Sequence, residues 1–318
     1  MVNGISGTAA KASAKLTLGP VLFNWEPDTW RDFYARVADE ADVDTVCVGE
    51  VVCAKRSPFR APLMAEVIER LTGAGKEVVV STLALIMNRR EMDEVRAASA
   101  DAGLLIEAND IATAALLTGQ PHVLGPLINL YNEDTLRYLA DRGAVRACLP
   151  VELKASAIGA LAKFQALELE ILAFGRLPLA ISARCYHARA RGLTKDACQF
   201  VCADDPDGMT VETLDGEPFL AVNGLQTLSH SYASLASELA ELRNMGVNRF
   251  RLSPHSADMV AVARVFRDVL DGQASAGKAD ARLSRLVDGA PFSNGYYHGT
   301  VGAHRIMADE RLDLENPA

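Results

Sequence analysis

The chain has 318 residues, of which 49% are hydrophobic, and its formal net charge is -9 with histidine neutral. This hydrophobic fraction can build one large core or two ordinary ones, so the composition excludes a disordered or fibrous protein. The acidic balance offers no long-range attraction to nucleic acid or to anionic lipid, so neither is expected as a partner. No apolar run is long enough to cross a bilayer.

The first residues of the chain are small and polar. Residues 1–14 read MVNGISGTAAKASA and lack the apolar stretch of a secretory signal. We expect a disordered extension there and a cytoplasmic protein. In that reducing compartment, the six cysteines are expected to be core residues or metal ligands rather than disulfides.

Short apolar runs rich in β-branched residues recur along the chain and predict strands. They lie near residues 16–23, 44–49, 77–85, 103–107, 122–128, 145–151, 168–174 and 248–252. Helical spacing of apolar residues separates them, as in Trp30, Phe33, Tyr34 and Val37. Continuous apolar strands, each followed by a helix, predict a parallel sheet, and eight such units fit an α/β fold of the (β/α)8 TIM-like barrel type. A doubly wound open sheet is the alternative.

A long gap separates the seventh predicted strand from the eighth, and it predicts an insertion over residues 176–230. Inside it, Asp215 and Gly216 stand between two alternating runs, which is typical of a small hairpin. The barrel with this insertion is expected to occupy residues 15–270. Residues 271–318 are rich in Ala, Gly, Asp and Lys, and we expect a loosely packed tail.

The insertion carries a set of closely placed thiols. Cys185, Cys198 and Cys202 form a C-x12-C-x3-C arrangement in a polar, basic segment. Three thiolates are soft metal ligands, but a tetrahedral zinc or a cubane iron-sulfur cluster takes four ligands. A further ligand is therefore expected from elsewhere in the chain.

The barrel geometry selects the fourth thiol. Loops that follow the strands gather at one end of a TIM-like barrel, where active sites lie. Cys53 follows the second predicted strand in GEVVCAKR, so we expect it on the same face as the insertion. Cys47 and Cys148 lie inside predicted strands, where a small buried side chain is the expected role.

Zinc and an iron-sulfur cluster are both compatible with these cysteines. Structural zinc sites generally use pairs of short C-x2-4-C knuckles, and only the Cys198–Cys202 pair is short here. An all-thiolate set with remote members favours a [4Fe-4S] cluster, although four thiolates do not exclude zinc. His187 is the nearest imidazole and is expected to be a loop residue.

Polar residues near the cysteines are candidates for substrate binding. Lys55, Arg56 and Arg184 form a positive group that would hold a carboxylate or offset a thiolate-ligated cluster, unless it is an ordinary solvated loop. Glu50 and Asn129 follow predicted strands and are candidates by position, with helix capping as the alternative role. The chain has no G-x-S-x-G, H-E-x-x-H, Walker A or G-x-G-x-x-G motif.

Several stretches carry a family resemblance, namely GEVVCAKRSPF, STLAL, LPLAISARCYHARARGLTKDACQFVC, VNGLQTLS, LTLGPVLFNW and RLSPHSAD. With them the sequence resembles the collagenase-like peptidase family of unassigned catalytic type over about residues 15–270. The resemblance assigns the family's cluster ligands to Cys53, Cys185, Cys198 and Cys202, the same set that the barrel geometry selects.

Within that family the likeness is to an iron-sulfur protein of ubiquinone biosynthesis. It implies a [4Fe-4S] protein that forms a heterodimer with the paralogue UbiU and takes part in oxygen-independent hydroxylation of the ubiquinone ring precursor. It also implies the lipid-binding protein UbiT as a partner that presents the substrate, and prephenate as the oxygen donor. The alternatives are a non-catalytic iron-sulfur partner subunit, a collagenase-like peptidase and an RNA-hydroxylating enzyme.

Overall fold

A computed structural model describes residues 13–100, 103–287, 290–307 and 310 of the chain. Residues 1–12 of the predicted N-terminal extension lie outside the described residues, as do 311–318 of the predicted tail.

Eight parallel strands close into a barrel, which confirms the predicted α/β TIM-like fold. Each strand pairs with the next one around the barrel, and the last pairs with both the first and the seventh. The strands of the barrel wall are β1 (Lys15–Leu18), β2 (Thr45–Gly49), β3 (Glu77–Ser81), β4 (Leu105–Ala108), β5 (His122–Leu124), β6 (Ala144–Cys148), β7 (Glu168–Ile181) and β11 (Arg249–Leu252).

Helices follow the strands and cover the barrel. They are α1 (Pro27–Glu40), α2 (Ser57–Gly73), α3 (Arg89–Ser99), α4 (Ile111–Leu116), α5 (Glu133–Ala140), α6 (Ala155–Phe164), α8 (Leu239–Met245) and α9 (Met259–Leu270). The first of them shows the principle, because Pro27 suits a helix start and the predicted apolar stripe buries Trp30, Tyr34 and Val37.

Charged side chains fill part of the barrel interior, and the apolar runs of the sequence did not predict them. Arg251 on β11 is buried and forms ion pairs with the buried carboxylates of Glu107 on β4 and Glu170 on β7. Towards the opposite end of the barrel, Arg146 and Arg249 both pair with Glu77 and Glu168. Buried ions are tolerated when they are paired and hydrogen-bonded. The bridges to Glu107 and to Glu77 join non-adjacent strands across the barrel, and those to Glu168 and Glu170 join neighbouring strands.

The insertion leaves the barrel in the middle of β7. Up to Phe174 this strand pairs with β6 and β11, and from Phe174 onward it pairs antiparallel with β10 (Gln226–Ser234). Next to β10 lies the predicted hairpin, formed by β8 (Met209–Glu212) and β9 (Pro218–Asn223) around the Asp215-Gly216 turn. The short helix α7 (Tyr186–Ala190) and a 3-10 turn at Val201–Ala203 complete the insertion.

The C-terminal segment is packed more firmly than the sequence predicts in the part that is described. Helix α10 (Ala276–Leu286) buries Ala279 and Leu283, and β12 (Phe292–Ser293) pairs with β10. The buried Glu238 accepts a hydrogen bond from Asn294 Nδ2 at 3.0 Å, and His298 Nε2 lies 3.1 Å from the same carboxylate oxygen. Two buried apolar residues of α10 and the hydrogen bonds to Glu238 therefore hold this segment against the barrel. Among the described residues, no helix is long and apolar enough to cross a membrane.

The bend in β7 gives a test of the insertion's geometry. Gly175 has φ of 119°, and a Cβ there would lie 2.6 Å from Ser253 Cβ. Gly175→Ala is expected to lower the free energy of unfolding by roughly 3 kcal/mol, because the strained backbone and the clash add. Urea denaturation measures this change.

The matched control is Gly277→Ala in the first turn of α10, where an added Cβ has nothing within 4 Å. This variant is expected to be neutral or more stable by up to ~1 kcal/mol. Equal stability changes in the two variants would contradict the geometry described for β7.

Candidate functional site

Four cysteines from two remote segments of the sequence line a single cavity, which we call the cysteine cavity. Cys53 comes from the loop after β2, and the other three come from the insertion. The lining of the cysteine cavity is Cys53, Lys55, Arg56, Cys185, Lys195, Cys198, Phe200, Val201, Cys202 and Gly224. In the part of the chain that the structure describes, no group of three or more His, Cys, Asp or Glu side chains is arranged to hold a single metal ion.

A buried carboxylate holds the loop that carries Cys53. Glu50 Oε1 accepts the backbone N–H groups of Val52 at 2.9 Å and Cys53 at 3.0 Å. Its other oxygen accepts from Arg60 Nη1 at 3.0 Å, in an ion pair that is almost wholly buried. The sequence predicts Glu50 as a substrate-binding residue, and the structure shows its oxygens engaged in positioning Cys53.

The remaining cysteines sit at short helical turns of the insertion. Cys185 precedes α7, and its Sγ accepts the N–H of Ala188 at 3.4 Å. Cys202 is buried in the 3-10 turn, and two residues between it and Cys198 have left-handed φ, Gln199 at 50° and Phe200 at 55°. Non-glycine residues seldom adopt this conformation and lose about 1 kcal/mol each by it, so the surrounding structure imposes it.

The side chain of Arg56 joins the barrel to the insertion beside these thiols. Its guanidinium is buried and donates to Leu22 O at 2.8 Å and to Asn223 Oδ1 at 2.9 Å. Burial opposes its charge, but the nearby Glu50, Cys202 and Cys53 outweigh this and raise the pKa of Arg56. Gly224 permits this approach, since a Cβ there would lie 2.7 Å from Arg56 Nη2. The remaining nitrogen, Nε, has no hydrogen-bond partner among the described residues.

Burial also decides the protonation of the thiols. It raises the pKa of Cys53 and of Cys185, and the charge of Arg56 only partly offsets this. The free thiols of Cys53 and Cys185 are therefore protonated at neutral pH, and a metal that binds them must displace their protons. Cys47 and Cys148 are buried in β2 and β6, as predicted, and burial raises their pKa well above the ordinary value.

Of the other predicted binding residues, only Lys55 lies at the cysteine cavity. Lys55 lines the cysteine cavity, but its Nζ donates to Lys195 O at 2.6 Å. Arg184 and Asn129 are exposed and do not belong to the lining of the cysteine cavity. His187 is buried, with Nε2 at 2.8 Å from Asp205 Oδ2, so it supports the insertion rather than standing in an open loop.

Residues that sequence reasoning missed complete the site. Lys195 lies three positions before Cys198 and places its Nζ 3.2 Å from Met87 Sδ at the rim of the cysteine cavity. Its position between Cys185 and Cys198 in the sequence could have predicted that it lies at the site. Asn223 accepts a hydrogen bond from Arg56 and donates one to Gln226. These two polar side chains lie in the VNGLQ stretch, where no periodic pattern predicts their role.

A second, separate cavity lies at the mouth of the barrel. Glu107, Asn109 and Ser253, which follow or end predicted strands, line it together with Arg176, Gln226 and Arg251. His255 lies buried nearby, and burial, partly offset by Asp207, lowers its pKa to about 4. His255 is therefore neutral at pH 7.

The comparisons with known proteins identify a family and several distant structural likenesses. The family model described as Peptidase family U32 matches residues 29–307. Among solved structures, the tryptophan synthase complex of Pyrococcus furiosus is 12% identical, with a TM-score of 0.41 over 87% of this chain and 99% of that one. Dihydropteroate synthase from Thermus thermophilus is also 12% identical, with a TM-score of 0.42 over 83% of this chain and 94% of that one. Nothing about the site follows from these distant likenesses.

The carboxylate of Glu50 can be tested by removing its charge alone. Glu50→Gln leaves Arg60 buried without its ion-pair partner, so the free energy of unfolding is expected to fall by ~3 kcal/mol. Hydrogen exchange of the Val52 and Cys53 amides should accelerate in the same variant, because their acceptor is weakened.

Glu40→Gln is the control, since Glu40 forms a solvent-exposed pair with Arg36 at 3.0 Å. Its effect on the free energy of unfolding is expected to stay below ~0.5 kcal/mol. Unchanged exchange of Val52 and Cys53 in Glu50→Gln would show that Glu50 does not position the loop.

Proposed function

The chain belongs to peptidase family U32, and we propose that it is an iron-sulfur member in which Cys53, Cys185, Cys198 and Cys202 hold a [4Fe-4S] cluster. The observation that carries this proposal is the shared cavity, which collects these cysteines and leaves the other two in the barrel wall. Cys53 is far in the sequence from the other three thiols, and folding brings it to them.

The arrangement of the thiols fits a cluster better than a single zinc ion. Zinc would draw its sulfur ligands to about 2.3 Å from one point. Structural zinc sites generally use two short C-x2-4-C knuckles, and here only Cys198 and Cys202 form a short pair. A cubane distributes its thiolates over separate irons and so accepts a wider set.

The protein residues around the thiols suit a negatively charged group. Arg56 supplies a buried positive charge and an Nε–H without a partner among the described residues, which is the kind of donor that stabilises thiolate or sulfide sulfur. Glu50 holds the Cys53 loop in place. When bound, the cluster would supply one-electron transfer, and hydrogen bonds to its sulfurs would tune the potential.

We infer a biological role like that of UbiV, the ubiquinone-biosynthesis protein whose motifs the chain resembles. The chain would act as one subunit of an oxygen-independent hydroxylase of the ubiquinone ring precursor, in a heterodimer with UbiU. UbiT would present the polyprenylated substrate, and prephenate would donate the oxygen. This role rests on the resemblance, supported by the shared family and by the cysteine cavity.

A non-catalytic partner subunit is the second candidate, and one observation favours it. The cysteines divide between the barrel and the insertion, so a cluster there would fasten the insertion to the barrel even without taking part in chemistry. Prephenate binding by the isolated chain separates the two, because a purely structural subunit would not bind it. A peptidase is disfavoured, because the chain lacks the hydrolase motifs, and the acidic charge disfavours an RNA-modifying enzyme.

Substitution of single cysteines tests the ligand set. After anaerobic purification, each of Cys53→Ala, Cys185→Ala, Cys198→Ala and Cys202→Ala should lose most bound iron and sulfide and the visible absorption of the cluster. The reason is that removing one thiolate leaves an iron without its protein ligand. Iron and sulfide analysis of each protein measures this.

Cys47→Ala and Cys148→Ala are the controls. Both thiols are buried in barrel strands, so they should keep the cluster and lose only packing energy, on the order of 1 kcal/mol. Loss of the cluster in Cys148→Ala would mean that the ligands are assigned wrongly.

The partner is tested by coexpression with UbiU, which should yield a stable heterodimer. The hairpin of the insertion exposes Leu214 and Phe219, and we expect a partner to cover such side chains. Phe219→Ser should weaken the heterodimer in analytical ultracentrifugation, whereas Tyr138→Ser on α5, also exposed, should not. A chain that stays monomeric and fully active alone would contradict this part of the proposal.

A further inference from the structure

The cavity at the barrel mouth, called here the mouth cavity, is separate from the cysteine cavity and holds about 30 Å³. It lies where the strands β4, β7 and β11 end, and its wall combines polar and apolar side chains. The lining includes Leu22, Glu107, Asn109, Leu127, Arg176, Pro178, Gln226, Arg251 and Ser253. Buried polar groups without partners in such a wall call for a ligand.

The orientation of Gln226 follows from the chemistry of Arg56. A guanidinium can only donate hydrogen bonds, so Asn223 must turn its oxygen towards Arg56, at 2.9 Å. The amide nitrogen of Asn223 then donates to Leu22 O at 2.7 Å and faces Gln226 Oε1 at 3.4 Å. This chain of bonds fixes the oxygen of Gln226 towards Asn223.

As a result, the side-chain nitrogen of Gln226 is a hydrogen-bond donor without an acceptor among the described residues. Gln226 is wholly buried, and its Nε2 has no hydrogen-bond partner among the described residues. A buried N–H group without an acceptor costs about 1–3 kcal/mol, so a ligand that supplies an acceptor would be bound with a gain.

Arg176 brings a second unused donor to the same wall. It is nine-tenths buried, its Nη1 donates to the carbonyl oxygens of Ser229 and His230, and its guanidinium lies 4.8 Å from the centre of the Tyr232 ring. Its Nε has no partner in the described part of the chain, and no carboxylate there lies within ion-pair distance of it.

The other charged groups of the mouth cavity are already paired. Glu107 is bound to Arg251, which also holds Glu170. Asn109 donates to Thr82 O at 3.2 Å and to Glu107 Oε1 at 3.1 Å, and its Oδ1 has no hydrogen-bond partner among the described residues. The groups left for a ligand are therefore two N–H donors, one of them cationic, and the acceptor oxygen of Asn109.

We propose that the mouth cavity binds the carboxylate group of a small organic acid, with Gln226 Nε2 and Arg176 Nε each donating to one oxygen. A cavity of this size takes about two water-sized atoms, which matches the two carboxylate oxygens. The apolar rim of Leu22, Leu127 and Pro178 would contact the rest of the acid. The site does not depend on a cluster, and the sequence-predicted cations Lys55 and Arg184 are not part of its lining.

Acetate and its neutral counterpart acetamide are the probes for this site. Saturation-transfer NMR on the full chain should show saturable acetate binding, with acetamide at least about tenfold weaker because it lacks the charge. Gln226→Leu should weaken acetate binding about fivefold and Arg176→Met at least about tenfold, in keeping with loss of a neutral and of a charge-assisted hydrogen bond.

Two control variants separate this site from a general loss of positive charge and from the cysteine cavity. Arg264→Gln removes an exposed positive charge on α9 and should leave acetate binding unchanged. Cys185→Ser should also retain it, so a failure of the iron-sulfur assignment would not imitate a failure here. If Arg176→Met does not fold, as judged by circular dichroism, Gln226→Leu decides.

Three results would overturn the proposal. They are the absence of saturable acetate binding below about 100 mM, equal binding of acetate and acetamide, and wild-type affinity in the folded Gln226 and Arg176 variants.

Discussion

A buried guanidinium can only donate hydrogen bonds, and at Arg56 this constraint fixes the groups around both the cysteine cavity and the mouth cavity. Its bonds to Leu22 and Asn223 join the first barrel loop to the insertion, and Glu50, Cys53 and Cys202 place negative charge or sulfur around it. The same bond to Asn223 orients the amide of Gln226 at the mouth cavity. A lysine could not replace it, because a point charge lacks the planar fork that serves two acceptors in fixed directions.

The barrel provides the rigid frame on which this arrangement depends. Ion pairs inside it link β4, β7 and β11 through Arg251, so the loops at their ends keep fixed positions. The insertion then folds back over the mouth, because β7 continues past Gly175 and pairs with β10. The cysteines meet where the loop after β2 contacts the insertion.

Much of the fold could be predicted because it follows periodicity. Apolar runs located all eight barrel strands, and the Asp215-Gly216 turn located the hairpin. The position of Cys53 after a strand was enough to place it with the insertion's thiols. The charges inside the barrel were not predicted. The alternation in RFRL places Arg249 and Arg251 on the same face of the strand, and this was a signal for them. The contacts of Asn223 and Gln226 join remote segments, and no local pattern encodes such contacts.

The central claim is that the four cysteines hold one cubane cluster. The most direct test is iron, sulfide and zinc analysis of the anaerobically purified chain, combined with electron paramagnetic resonance of the reduced sample. We predict about four irons and four sulfides per chain, and on reduction the signal of a [4Fe-4S] cluster. One zinc per chain, with neither iron nor sulfide, would contradict it.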